Sequence, residues 1–165
     1  MEEDVRRLIE DLRSSEPAVR REAAERLARA GEDGAAAAAA LLEALDDEDS
    51  EVRDWAVTAL EGLGQPPHDE AGQIAELLSH QRLDVAYWAA TLLGRLGTQA
   101  SDWSAQVAAA LDEHPDVVVQ RRAAWALARI GSTSKNVVDA LRRAAKEPDP
   151  ALVRAATDAL RTLEG

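Results

Sequence analysis

Neither cysteine nor phenylalanine occurs among the 165 residues, and the aromatic complement is four tryptophans and one tyrosine. Without cysteine there is no disulfide framework, no thiol nucleophile and no zinc–thiolate or iron–sulfur site. No apolar run approaches the roughly 18 residues needed to cross a bilayer. The opening Met1-Glu-Glu-Asp lacks the basic start of a signal peptide. Basic charge is scarce as well: 19 Lys and Arg face 31 Asp and Glu, a net charge of −12. That balance argues against a general nucleic-acid binder, whose affinity rests on neutralising phosphates. A soluble, cytoplasmic protein of one domain, residues 1–165, is expected.

One skeleton recurs along the chain. It reads Val19-Arg-Arg-Glu-Ala23 to Leu27, Val52-Arg-Asp-Trp-Ala56 to Leu60, and Val85-Ala-Tyr-Trp-Ala89 to Leu93. Val119-Gln-Arg-Arg-Ala123 to Leu127 and Leu152-Val-Arg-Ala-Ala156 to Leu160 continue it. The anchors at 19, 52, 85, 119 and 152 are 33 or 34 residues apart, a period typical of stacked repeats. Within each copy the anchor, the Ala four later and the Leu eight later fall on one helical stripe. Gly31, Gly64, Gly97 and Gly131 follow four residues after the closing Leu, where a left-handed helix cap is expected. A second apolar pair precedes each anchor: Leu8/Leu12, Leu41/Leu45, Ile74/Leu78, Val107/Leu111 and Leu141/Ala145. Ser14–Pro17, Asp46–Ser50, His114–Asp116 and Glu147–Pro150 separate the two helices of a unit, since Pro and Asp stop one helix and start the next. Five two-helix repeats are predicted, over 4–31, 34–64, 68–97, 101–131 and 134–165. The run from Ala35 to Ala40 is read as tight helix.

These residues resemble HEAT repeats, above all the short HEAT-like kind named after phycobilisome lyases. The family's pattern is nearly intact in the second unit, from Asp49-Ser-Glu-Val52-Arg53 through Leu63-Gly64. The resemblance implies an all-α, right-handed α-solenoid whose second helices line a concave face. It also implies an acid–arginine ladder between neighbours. Glu16/Arg20 and Asp49/Arg53 keep it, whereas Arg82/Ala86, Asp116/Gln120 and Asp149/Val153 interrupt it.

Alanines at 23, 56, 89, 123 and 156 face the core and let helices approach closely. Solenoids are held by neighbour contacts, which leaves a long surface open to partners. Catalytic groupings are missing: there is no phosphate loop and no nucleophile elbow. His68, His80 and His114 sit in or near turns without a partner at metal-ligand spacing, so they read as solvated loop residues. No metal, no cofactor and no catalytic residue are expected.

The aromatics stand out by placement. Counted from the anchors, Trp55 and Trp88 occupy +3, Tyr87 occupies +2 and Trp125 occupies +6. These positions form a face beside the core stripe, the face that looks into the concavity in the resembled family. Trp103 is left aside as a packing residue at a helix start. Charge on that face is graded. Residues 1–65 hold eight basic and eighteen acidic side chains, net −10, whereas residues 66–98 carry −2 and residues 99–165 carry 0. The candidate binding set is Trp55, Trp88, Trp125 and Tyr87 with Asp54, Asp84, Arg95, Arg121, Arg122 and Arg129. It predicts a non-catalytic scaffold that holds a protein or peptide segment. Rings near carboxylates suit Arg or Lys on that segment, through cation–π contacts of roughly 0.5–2 kcal/mol.

Other readings stay open. One is a lyase-like or otherwise small-molecule-binding relative that holds a bilin. Another is a HEAT-like DNA glycosylase, which the acidity opposes. The third is an engineered or excised structural solenoid without ligand. A monomer is expected, with end-to-end association as the alternative, and no membrane partner.

Overall fold

The computed structural model of the chain describes residues 2–165; among them are ten α-helices and no strand. The helices are α1 (Glu2–Asp11), α2 (Pro17–Ala30), α3 (Ala38–Ala44), α4 (Ser50–Gly62) and α5 (Ala71–Glu76). After them come α6 (Leu83–Leu96), α7 (Ser104–Glu113), α8 (Val117–Ile130), α9 (Lys135–Ala144) and α10 (Pro150–Glu164). Each predicted repeat is one consecutive pair, α1/α2 to α9/α10. The contacts group into two compact units, the first ending at Ile74 and the second running from Ala75 to Gly165.

In the first unit α2 packs on α4, α1 on α2 and α3 on α4. Ala23, Leu27, Ala56 and Leu60 are buried, as the stripe requires. Val19 departs from it: the anchor valine is 36% exposed, and Arg20 beside it is the buried residue at 8%. The cause is an ion pair. Arg20 Nε and Nη2 donate to the two carboxylate oxygens of Asp47 at 2.7 and 3.0 Å, and Nη1 donates to the Ser14 carbonyl at 2.9 Å. The acid that Arg20 selects is therefore Asp47, in the next inter-helix turn, and not Glu16. Arg53 likewise turns to backbone, donating to the Asp47 and Glu48 carbonyls, while Asp49 caps α4 by accepting from the Glu51 and Val52 N–H groups.

The alanine run is split. Gly31–Ala37 forms a 3₁₀ segment and α3 begins only at Ala38. Its N-cap, Ala37, offers no side chain to the orphan donors. Glu70 does so from 31 positions along the chain, accepting the Ala39 N–H at 2.8 Å. Burial pushes the Glu70 carboxyl up to about 7; the Ala39 bond works against that shift, and the neighbouring Asp69 charge adds to it.

In the second unit the 3₁₀ turn Leu77–Ser79 packs on α6, α6 on α8, α8 on α10, and α7 on both α8 and α9. Val85, Ala89, Leu93, Val119, Ala123, Leu127, Leu152 and Ala156 are buried. Asp116 and Asp149 cap α8 and α10. Gln120 stands where Arg20 and Arg53 stand and makes their backbone bond, donating to the His114 carbonyl six residues back at 2.9 Å. His114 is not a solvated loop residue. It is 7% exposed, its Nδ1 accepts the Asp116 N–H at 3.1 Å, and Nε2 lies 3.4 Å from the His80 carbonyl. A turn that must bury its own polar backbone uses the imidazole to satisfy it. All four predicted cap glycines have positive φ. Gly131 is left-handed helical; Gly97, at φ 58° and ψ −133°, instead redirects the chain into the 3₁₀ segment Gly97–Trp103. Trp103 ends that segment and precedes α7.

Candidate binding face

Six of the ten candidate residues come together on the outward side of α6 and α8 in the second unit. Tyr87 and Trp88, adjacent near the start of α6, meet edge to face with ring centroids 5.9 Å apart. One helix further, Trp125 projects from the middle of α8. Its six-membered ring rests on Gly94 of α6: a Cβ on that glycine would lie 2.3 Å from Trp125 Cζ3. The absence of one carbon thus makes the seat for the indole. Tyr87, Trp88 and Trp125 are all half-buried, neither wedged out of water's reach nor standing free.

Cation–π contacts already form at these ring faces. The chain's own arginines occupy them. The Arg95 guanidinium carbon lies 5.5 Å from the Trp88 centroid. That of Arg122 lies 4.5 Å from Tyr87 and 4.9 Å from Trp125, and that of Arg129 lies 5.5 Å from Trp125. Arg122 also donates from Nη2 to the Tyr87 hydroxyl, and Arg129 Nε donates to the Gly94 carbonyl at 3.1 Å. Burial lowers the affinity of Arg95 for its proton, and the nearby positive charge of Arg122 lowers it further, against a smaller opposing effect of Tyr87. Three cations therefore crowd around three rings. The sequence carried the signal in its spacing: Arg122, Trp125 and Arg129 are at i, i+3 and i+7, so they must share a helix face.

Arg121 borders the same region. Its Nε lies 3.6 Å from Asp149 Oδ1, the capping acid of α10, and the side chain is 37% exposed. Tyr87, Val118, Arg121, Arg122 and Trp125 line a cleft of about 330 Å³. On the other flank of Trp125, Arg129, Ala155, Asp158 and Thr162 help line a second of about 530 Å³. Sequence reasoning missed Val118, whose side chain is 37% exposed at the rim of the first cleft.

The remaining candidates lie apart. Asp84 is exposed in the first turn of α6. Trp55 and Asp54 belong to α4 of the first unit; Trp55 is half-buried and Asp54 exposed. Among the described residues Trp55 has no ring or cation partner. No group of three or more His, Asp or Glu among them could hold a metal ion, and no helix is long and apolar enough to cross a membrane.

Comparison with known proteins agrees with the helical-repeat fold. A designed armadillo repeat protein in complex with the peptide (KR)4 is similar over 94% of this chain and 80% of its own, with 17% identity and a TM-score of 0.66. The complex of CpcE and CpcF of phycocyanin lyase from Nostoc sp. PCC7120 aligns over 96% and 64%, with 24% identity and a TM-score of 0.63. An engineered protein aligns over 96% and 47%, with 25% identity and a TM-score of 0.61. No curated protein is significantly similar in sequence. The pattern that defines HEAT repeats matches residues 5–73 and 70–161. With its paired helices, buried alanine stripe and repeat-spanning match, the chain belongs to the HEAT-repeat family of all-α solenoids.

Proposed function

We propose that the chain is a non-catalytic binding module that holds a peptide or protein segment against its second helices. Trp88, Trp125 and Tyr87 supply the apolar contact; Asp84, Arg95, Arg121, Arg122 and Arg129 supply direction. Trp55 and Asp54 belong to the same reading at the corresponding positions of the first unit. The observation that carries it is the division of labour among side chains. Alanine and leucine fill the core, while every aromatic ring is kept half-buried instead. Tryptophan, tyrosine and arginine are the residues that dominate interface energetics. The designed armadillo neighbour that carries a peptide lends the reading support at the level of fold alone.

The test is selection of peptides from a displayed library against the immobilised protein, followed by titration of the selected peptides. Trp88→Ala is expected to weaken binding by about tenfold or more and leave the melting temperature nearly unchanged. Trp88→Ala chains that melt far earlier, with no selected peptide shifting resonances of α6 or α8, would make the rings packing residues and end this reading. A shift in the visible spectrum of added bilin, with no peptide selected, would favour chromophore handling instead.

A further inference from the structure

We infer that the segment held by the second unit is acidic: a peptide whose carboxylates, two residues apart, meet Arg122 and Arg129 beside Trp125. This rests on the binding reading above and gives it a charge. Three observations support it.

First, no carboxylate among the described residues pairs with Arg122 or Arg129, although ion pairs are common elsewhere on the chain, as at Arg143–Asp112 and Lys135–Asp139. Arg121, next in sequence, does have its acid, Asp149. Two cations are thus left without anionic partners in a region where a third lies beside an acid.

Second, the rings hold the guanidiniums in place. An arginine stacked on an aromatic face keeps its N–H donors in the guanidinium plane, directed outward from the stack. Arg122 uses one donor on the Tyr87 hydroxyl and Arg129 uses Nε on the Gly94 carbonyl. The donors that remain are pre-oriented, so a carboxylate that accepts from them meets side chains whose freedom is already restricted.

Third, the spacing suits an extended chain. Both guanidinium carbons lie near one centroid, at 4.9 and 5.5 Å, so they are at most about 10 Å apart. In an extended segment of roughly 3.3 Å per residue, acidic side chains at i and i+2 share one face and lie roughly 6–7 Å apart, within that limit. The cleft lined by Tyr87, Val118, Arg122 and Trp125 adjoins this pair, and the exposed valine at its rim offers an apolar contact to the methylene stem of an acidic side chain. A nucleic acid would also meet arginine and indole here, but the net charge of −12 opposes a polyanion backbone far more than it opposes a few carboxylates.

The experiment uses the full chain and fluorescein-labelled dodecapeptides in which tyrosine alternates with glutamate, with lysine or with serine, and a single-stranded oligonucleotide of similar length. The glutamate peptide is expected to bind at least about tenfold tighter than the serine one, weakening as salt screens the pairs. Arg122→Gln and Arg129→Gln should each reduce that preference by about fivefold or more, as should Val118→Glu, which places an acid at the cleft rim without removing a guanidinium. Lys135→Gln, on the exposed surface of α9, should change nothing. Thermal melts accompany each variant, and Val118→Glu keeps the test valid if an arginine variant misfolds. Tighter binding of the lysine or serine peptide, or a glutamate preference that survives Val118→Glu and both arginine variants, overturns the acidic ligand while leaving a peptide-binding module intact. Binding of the oligonucleotide in preference to all three peptides overturns it in favour of nucleic acid. Failure of every probe, together with no selected peptide, defeats the binding reading itself.

Discussion

Gly94 and Trp125 are the clearest case in which one residue decides another. The indole lies where a Cβ at position 94 would stand. Gly94→Ala is therefore expected to cost about 1–3 kcal/mol through overpacking. It should also turn the indole outward, because the neighbouring α6 backbone cannot recede without disturbing Ala89, Ala90 and Leu93, which are fully buried. Denaturation midpoints and tryptophan emission check both parts: a lower midpoint with a red shift is expected, and an unchanged emission maximum would mean that the ring does not depend on the glycine. The same scale explains what the sequence hides. That Arg122 shares a face with Trp125 follows from helical spacing, but that it also reaches Tyr87 depends on the register between α6 and α8, which no single-helix pattern contains. The burial of His114 depends on the Asp116 N–H and the His80 carbonyl around it and is invisible for the same reason.

At the level of elements, most of the architecture was legible because each repeat restates it. The anchor, alanine and leucine stripe recurs along the second helix of each pair, with a glycine stop after four of them and an Asp or Pro start before four. Boundaries failed where a neighbour intervenes. The Ala35–Ala40 run has excellent helix propensity throughout, yet α3 starts at Ala38, where Glu70 reaches the Ala39 N–H. That cap gives the helix a pH dependence. With its pKa raised to about 7, the Glu70 carboxyl binds its proton more tightly in the folded chain than in the unfolded one. The stabilisation is present below the ordinary carboxylate range and is lost as the pH rises towards 7 and beyond. Glu70→Gln keeps an acceptor for Ala39 and removes the charge. It is expected to flatten the melting profile between about pH 5 and pH 8 and to stabilise the chain at the upper end by about 1 kcal/mol, allowing for partial solvent screening. Profiles for the two proteins that run parallel across that range would contradict the assignment. The Asp47 carboxyl behaves in the opposite sense. Burial would push it up, but the hydrogen bonds from Arg20 and the Asp49 N–H and the charges of Arg20 and Arg53 reverse that and hold it below its ordinary value. Its contribution is accordingly present at neutral pH and lost in acid.

For the whole molecule the governing quantity is the uneven charge. Ten of the twelve net negative charges fall in residues 1–65, where like charges repel one another in the compact state. Raising salt from low ionic strength to about 0.5 M should relieve that repulsion and raise the melting temperature by a few degrees, as differential scanning calorimetry would show. Binding of an acidic peptide should move the other way and weaken over the same range. A protein whose melting temperature and peptide affinity both fell with salt would have its stability governed by ion pairs such as Arg143–Asp112 instead of by self-repulsion. The seat that Gly94 offers to Trp125 has a last consequence at this scale. The two halves of that fit lie in different copies of the motif, 31 positions apart along the chain. Shuffling the five copies would keep every helix pair and every alanine, yet separate tenant from vacancy. The order of the modules is information in its own right, and a permuted chain would reveal which recognition features are written between modules and which within them.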